Sequence, residues 1–508
     1  MAMSFSAANR RIDPVCGTCR KKCRKCDRTR PHCMRCISKG LVCEGYPLNI
    51  KMYNQPSGPS PKKRSKARQS RANEISSKTV IESTPPLSEA NDSPGGSATG
   101  LEGPMVALKM PQDDPTAEAS SPSSISSSLE DHLLKHYENT ICTKLSITSI
   151  DAPNPFEAYI LPLAYQHIGL KKAILGLSAC HIAAQDEQAQ KSMTTSAIQY
   201  RLAAIQSLSS LLLKEECFGL TEFEEEIALA IVLVLVLHDV CDCGKSLHGA
   251  HLNGVAFLCS RIASRPHALG QRQLFLITAL TWLDLLRGFS GAEKLAFPQK
   301  TRDLVGTADN SMLQSLFGCP AQVFMAIGRT MTSGKKFRFE EINVEEFQTI
   351  IDEILVELYE WDPLSYQHPS NNIEWTLLAE SYRHVAILRA LRFPDTFRIP
   401  CSDMRIKTAV ESILDASAGI PQDSPHYKRL LFPLFVAGAE TATPHQQQYV
   451  LFCIRHIEQM TGITYHSLSE LLSRTWEDRS KSDGTINVPW FEYTCSKILT
   501  RQHDYLFF

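Results

Sequence analysis

Residues 16 to 43 read "CGTCRKKCRKCDRTRPHCMRCISKGLVC". Cys16, Cys19 and Cys26 spell C-x2-C-x6-C, and Cys33, Cys36 and Cys43 spell it again, displaced by 17 residues. Cys23 has no mate under that shift, because Gly40 stands there. A C-x2-C pair turns both sulfurs toward one ion. Six thiolates cannot supply four private ligands to each of two zinc ions, but they suffice if two sulfurs bridge both ions. The spacing therefore predicts a binuclear zinc cluster, two Zn2+ per chain. The surrounding lysines and arginines favour the thiolate form and offset its charge.

The competing reading is a disulfide framework, which needs an oxidising compartment. Residues 1–15 carry Arg10, Arg11 and Asp13 and no apolar run, so a secretory leader is not expected. A disulfide knot also has no reason to repeat x2 and x6. His32 is the one histidine of the segment and abuts Cys33, which breaks the ligand spacings of mixed Cys/His fingers.

The segment resembles the fungal Zn2Cys6 binuclear cluster, the DNA-binding module of a large family of fungal transcription regulators. All six spacings fit. The resemblance implies that Cys16 and Cys33 bridge, that Cys19 and Cys26 complete one ion, and that Cys36 and Cys43 complete the other. Pro31 falls at the family's loop proline.

Arg20, Lys21, Lys22, Arg24 and Lys25 lie between the second and third cluster cysteines, whereas the second repeat has Ile37, Ser38, Lys39, Leu41 and Val42 there. The basic half suits a helix presented to DNA, and the apolar half suits packing behind it. Family modules place such a helix in the major groove. Guanine O6 and N7 accept hydrogen bonds there, and Lys22 is the expected base reader. The other basic groups would set register and salt dependence on phosphates. Cys23 stands where the family usually carries a second Lys or Arg, so contact with CGG-like half-sites in double-stranded DNA is open at this position. Cys23 either meets a base, or packs or faces solvent.

The net charge of -1 averages over a segregated chain. Residues 1–72 hold 18 Lys+Arg against 3 Asp+Glu, residues 73–128 hold 2 against 8, and residues 129–508 hold 33 against 43. A basic head before an acidic body is expected where the head alone meets nucleic acid. The sequence divides into a tail (1–15), the cluster module (16–43), a disordered linker (44–128) and a large all-α domain (129–508). The linker carries eleven prolines and Ser-rich runs such as "SSPSSISSS". Within it, 61–71 is basic: Lys62, Lys63, Arg64, Lys66 and Arg68 sit in "PKKRSKAR". That density suits a nuclear import signal or a phosphate-touching arm, and a nuclear location is expected. No heptad pattern follows the cluster, so a homodimer stays open as a partner.

Beyond Leu129 apolar residues recur at helical spacing in 168–185, 190–214, 273–287, 373–392 and 445–475. Ser127 or Ser128 could cap a helix beginning at Leu129. Asn343 and Glu346 form a capping-box pattern, and Pro363 ends the run that follows. "IALAIVLVLVL", Ile227 to Leu237, is too short for a membrane span of about 20 residues and reads as a buried core helix. "NPFEAYILPLAY" (Asn154–Tyr165) and "HLNGVAFL" (His251–Leu258) resemble the helical regulatory region of one branch of these regulators. That resemblance implies regulation and no catalytic residues.

"HDVCDCGKSLHGAH" gathers His238, Cys241, Cys243, His248 and His251. C-x-C is a poor zinc chelate beside C-x2-C, and the segment reads as a loop between helices. No G-x-x-x-x-G-K, G-x-S-x-G or H-E-x-x-H occurs, so an enzyme is not expected. The leading reading is a sequence-specific, pathway-specific regulator of RNA polymerase II genes, over a metabolite gene cluster or a resistance response. A zinc-stabilised protein-interaction scaffold and a small-molecule sensor, with an effector held by the α domain, are the alternatives. Replacing Lys62, Lys63, Arg64, Lys66 and Arg68 by alanine is expected to leave a fluorescently tagged chain mostly cytoplasmic. Unchanged nuclear accumulation would place the import signal elsewhere.

Overall fold

The computed structural model describes residues 18, 19, 26, 33–39, 41 and 43 of the amino-terminal part. In the rest it describes 122–147, 153–186, 188–243, 245–246, 249–265, 269–308, 310–393, 399–441, 443–481, 487, 490 and 504–505. The chain divides into two compact units, Met1–Pro111 and Gln112–Phe508. The linker expected over 44–128 lies outside the described residues as far as 121, and so does the basic segment 61–71.

The second unit is helical. The two-residue antiparallel ladder of Lys245–Ser246 with Asp504–Tyr505 is the only strand pairing among the described residues. The first helix is Pro122–His136, so it starts seven residues before the expected Leu129. Proline at a first helical position gives up an amide that has no partner there and presets φ, and the serines that looked like caps lie inside the helix.

Glu222–Cys243 is the axis of the unit. No residue from Ile227 to Leu237 is more than 4% exposed. Helices Ile168–Gln185, Gln190–Phe218, Ala250–Ile262 and Gln271–Phe289 pack around it. Its first turn carries Glu222, Glu224 and Glu225 at the positive end of the helix dipole. Glu225 is almost fully buried and takes both Arg261 and Arg265, while Glu226 takes Arg272 at 2.7 Å. Among the described residues, no helix is long and apolar enough to cross a membrane.

Helices Ile373–Leu391, Met404–Gly419, Leu431–Glu440, Pro444–Thr461 and His466–Ser480 form the carboxy-terminal layer. Gly438 lets Leu431–Glu440 lie close against Pro444–Thr461, because a Cβ there would lie 2.8 Å from Val450 Cγ1. The period read over 445–475 belongs to two helices. Gly462, at φ 70°, caps the first and donates its amide to Glu458 O at 2.8 Å. The capping box of Asn343 and Glu346 is present, with Asn343 Oδ1 accepting from the Glu346 amide at 2.9 Å. That helix ends at Glu360, ahead of Pro363. Trp282 joins the layers, with its ring 5.2 Å from Phe317 and 5.6 Å from Tyr382.

"HDVCDCGKSLHGAH" is not a loop throughout. The apolar run continues its helix to Cys243, which buries His238 and Cys241 in the core. Burial lowers the His238 pKa to about 3, so the ring is neutral. The side chains of Cys243 and His248 lie outside the described residues, and no metal-ligand grouping among the described residues includes His238, Cys241 or His251.

Arg392, 2% exposed, meets Glu440 through Nε at 3.0 and 3.1 Å and through Nη2. It ties the Ile373–Leu391 helix to Leu431–Glu440. Glu440→Ala strands that guanidinium and is expected to cost about 3–5 kcal/mol in urea unfolding of the full chain. Pairing it with Arg392→Met should recover much of the loss.

Candidate metal centre and nucleic-acid interface

Among the described residues of the first unit, five cysteines converge. Cys19, Cys26 and Cys33 place their sulfurs within 4.8 Å of one another, and so do Cys33, Cys36 and Cys43. Cys33 belongs to both groups. Cys19 Sγ is 3.8 Å from Cys33 Sγ and 3.8 Å from Cys36 Sγ. With Zn–S near 2.3 Å, the edge of a tetrahedral site is about 3.8 Å. The Cys19–Cys33 separation matches that edge, and Cys36, which the resemblance assigns to the other ion, lies equally near Cys19. Cys16 lies outside the described residues.

Local structure holds these sulfurs. The helix Met34–Ser38 starts at Cys33, whose Sγ accepts the Cys36 amide at 3.3 Å. The Cys33 amide donates to Cys43 Sγ at 3.3 Å, which closes the second C-x2-C-x6-C loop. Such N–H···S bonds favour the thiolate over the thiol. Cys19, Cys33 and Cys36 are at most 3% exposed, and Leu41 packs against them. Ile37 does not join that packing. It is 55% exposed, because the short helix turns that face outward. The apolar half of the repeat is therefore only partly a backing layer.

Arg20, Lys21, Lys22, Cys23, Arg24 and Lys25 lie outside the described residues, as do Lys62, Lys63, Arg64, Lys66 and Arg68.

In the second unit the two resemblance motifs do structural work. Asn154 accepts the Phe156 amide at 3.0 Å and donates to Cys142 O at 2.6 Å, which locks the entry to the next helix. Pro162 cannot donate to the residue four back, and a π-turn, Phe156–Ile160, precedes it. Asn253 accepts Arg287 Nη2 at 3.0 Å and joins Ala250–Ile262 to Gln271–Phe289. Asp284, fully buried, accepts the amides of Ala296 and Phe297 at 2.8 and 3.0 Å. Sequence reasoning missed this anchor, because a lone Asp in an apolar helix carries no local signal.

Residues 14–53 match the fungal Zn(2)-Cys(6) binuclear cluster domain, and residues 132–508 match the fungal specific transcription factor domain. The chain belongs to the fungal zinc-cluster transcription factors. Its module binds two zinc ions, and proteins with this module bind DNA. The chain is similar to the acriflavine sensitivity control protein acr-2 of Neurospora crassa, with 21% identity over 433 residues, 80% of this chain and 72% of that protein. No solved structure matches.

Elemental analysis of the full chain is expected to give about two zinc ions per chain. Cys33→Ala, which removes the sulfur common to both groups, should lose more than one equivalent. Cys23→Ala should keep both ions. Retention of a full complement in Cys33→Ala would show that Cys33 is not shared.

Proposed function

We propose that this protein is a sequence-specific regulator of RNA polymerase II genes, acting from the nucleus on double-stranded DNA. The observation that carries the reading is Cys33, common to two groups of converging sulfurs in a strongly basic segment. In this reading Cys16 and Cys33 bridge the two ions. Cys19 and Cys26 hold one ion, and Cys36 and Cys43 the other. In this reading metal holds Cys19 and Cys26, the cysteines on either side of the basic run 20–25.

Lys22 reads a guanine edge, while Arg20, Lys21, Arg24 and Lys25 sit on phosphates. The family supports a pathway-specific role, and the printed name of the relative, which concerns sensitivity to acriflavine, favours a resistance response over a metabolite gene cluster. The helical unit is the regulatory part, and the basic segment 61–71 serves import.

Lys22→Ala is expected to cost about 1–3 kcal/mol on the preferred duplex and much less on scrambled DNA. Lys25→Ala should weaken both alike and reduce the salt slope by about one unit. Cys23→Lys should tighten binding to CGG-containing duplexes if position 23 faces a base. Fluorescence anisotropy at two salt concentrations reads all three. Salt-insensitive binding, or equal losses for Lys22→Ala on every sequence, would favour a protein-interaction scaffold.

A further inference from the structure

A small, largely enclosed cavity of about 30 Å³ lies in the helical unit, with Leu177, Leu237 and Val240 on its apolar side and Lys144, His181 and Arg429 on its polar side. Arg429 is 3% exposed, and its Nε has no hydrogen-bond partner. Its Nη2 donates to the carbonyl of Leu145. Lys428 donates to the carbonyls of Thr143 and Ser146, both at 2.7 Å. Lys144 donates to Met460 O at 3.1 Å, and His181 Nε2 donates to Thr461 O at 3.0 Å.

No carboxylate pairs with Lys144, Lys428 or Arg429 among the described residues. Glu458, which neighbours Tyr465, is taken by the Tyr465 amide at 2.6 Å. The acceptors named for Lys144, His181, Lys428 and Arg429 are backbone carbonyls at or beside the end of Cys142–Leu145 or Pro444–Thr461. Each helix end offers about half a negative charge, less for a short helix. Three cations thus face roughly one countercharge. Burial brings the Lys428 pKa to about 7, so it can shed its proton, whereas Arg429, at about 10, stays charged at neutral pH. A buried guanidinium without an anion is strongly unfavourable.

We propose that the cavity binds one small monovalent anion, a halide or a carboxylate of one or two carbons, against Arg429. The volume exceeds the roughly 10–15 Å³ that one water needs and excludes anything of sugar or nucleotide size. The apolar side accepts a methyl group. Such an ion joins the Cys142–Leu145 turn, the Glu222–Cys243 helix and the Tyr427–Leu430 turn, three segments far apart in sequence. Its occupancy therefore reports on closure of the regulatory unit.

The test is thermal unfolding of the full zinc-loaded chain in sodium chloride, formate or acetate, each made up to constant ionic strength with sodium gluconate, whose anion is too large to enter. The expected result is a saturable rise in Tm of about 2–4 °C with the small anions, which is absent in Arg429→Met. Lys144→Met, at a half-buried position, should remain folded and need a several-fold higher concentration for the same rise. Chlorine NMR on the unaltered chain gives a readout free of any variant: chloride linewidth should broaden with protein and sharpen again on adding formate. An equal Tm in every salt, an unbroadened chloride line, or a full rise in a folded Arg429→Met would overturn the proposal.

Discussion

The helical unit depends on one constraint, that the segment Ile227–Leu237 has no polar face to give to water. A helix that is apolar all round must be covered on every side, and each Val, Leu or Ile fully buried contributes about 1.5–3 kcal/mol. Four helices meet that demand here, and one of them, Gln271–Phe289, meets the carboxy-terminal layer through Trp282 against Tyr382 and Phe289 against Phe432. One connected buried cluster takes in residues from Leu133 to Trp490, with Phe347, Ile351 and Ala390 in a smaller cluster beside it.

Charges inside such a core must be matched locally. Glu225 takes two arginines, Arg392 takes Glu440, and Asp284 accepts two amides beside Arg287 and Arg302. These contacts join segments far apart in sequence and fix which helix lies against which. They add specificity of pairing to the non-directional hydrophobic term.

The amino-terminal module solves the opposite problem. A segment of this size cannot bury enough apolar surface to fold alone, and among its described residues the buried ones are chiefly cysteines with Leu41 against them. Metal binding supplies the folding energy. The order of the chain, basic cluster module first and acidic helical unit last, keeps the nucleic-acid chemistry and the apolar core in separate units.

Periodicity and spacing are local properties, and what they encode was readable in the chain alone. The repeated C-x2-C-x6-C announced two zinc ions, Asn343 and Glu346 announced a helix start, and Ile227–Leu237 announced a buried helix. The errors came where two local signals competed. Ser127 and Ser128 looked like caps, but Pro122 had already opened the helix. The period of 445–475 hid the break at Gly462, and His238 and Cys241 looked like loop residues although their helix ran on. The tertiary structure alone decided that Asn253 meets Arg287 and that Lys144 and Arg429 line one cavity. The reason is physical: contacts between residues tens to hundreds of positions apart form only when the whole core closes, and no short window of sequence carries their geometry.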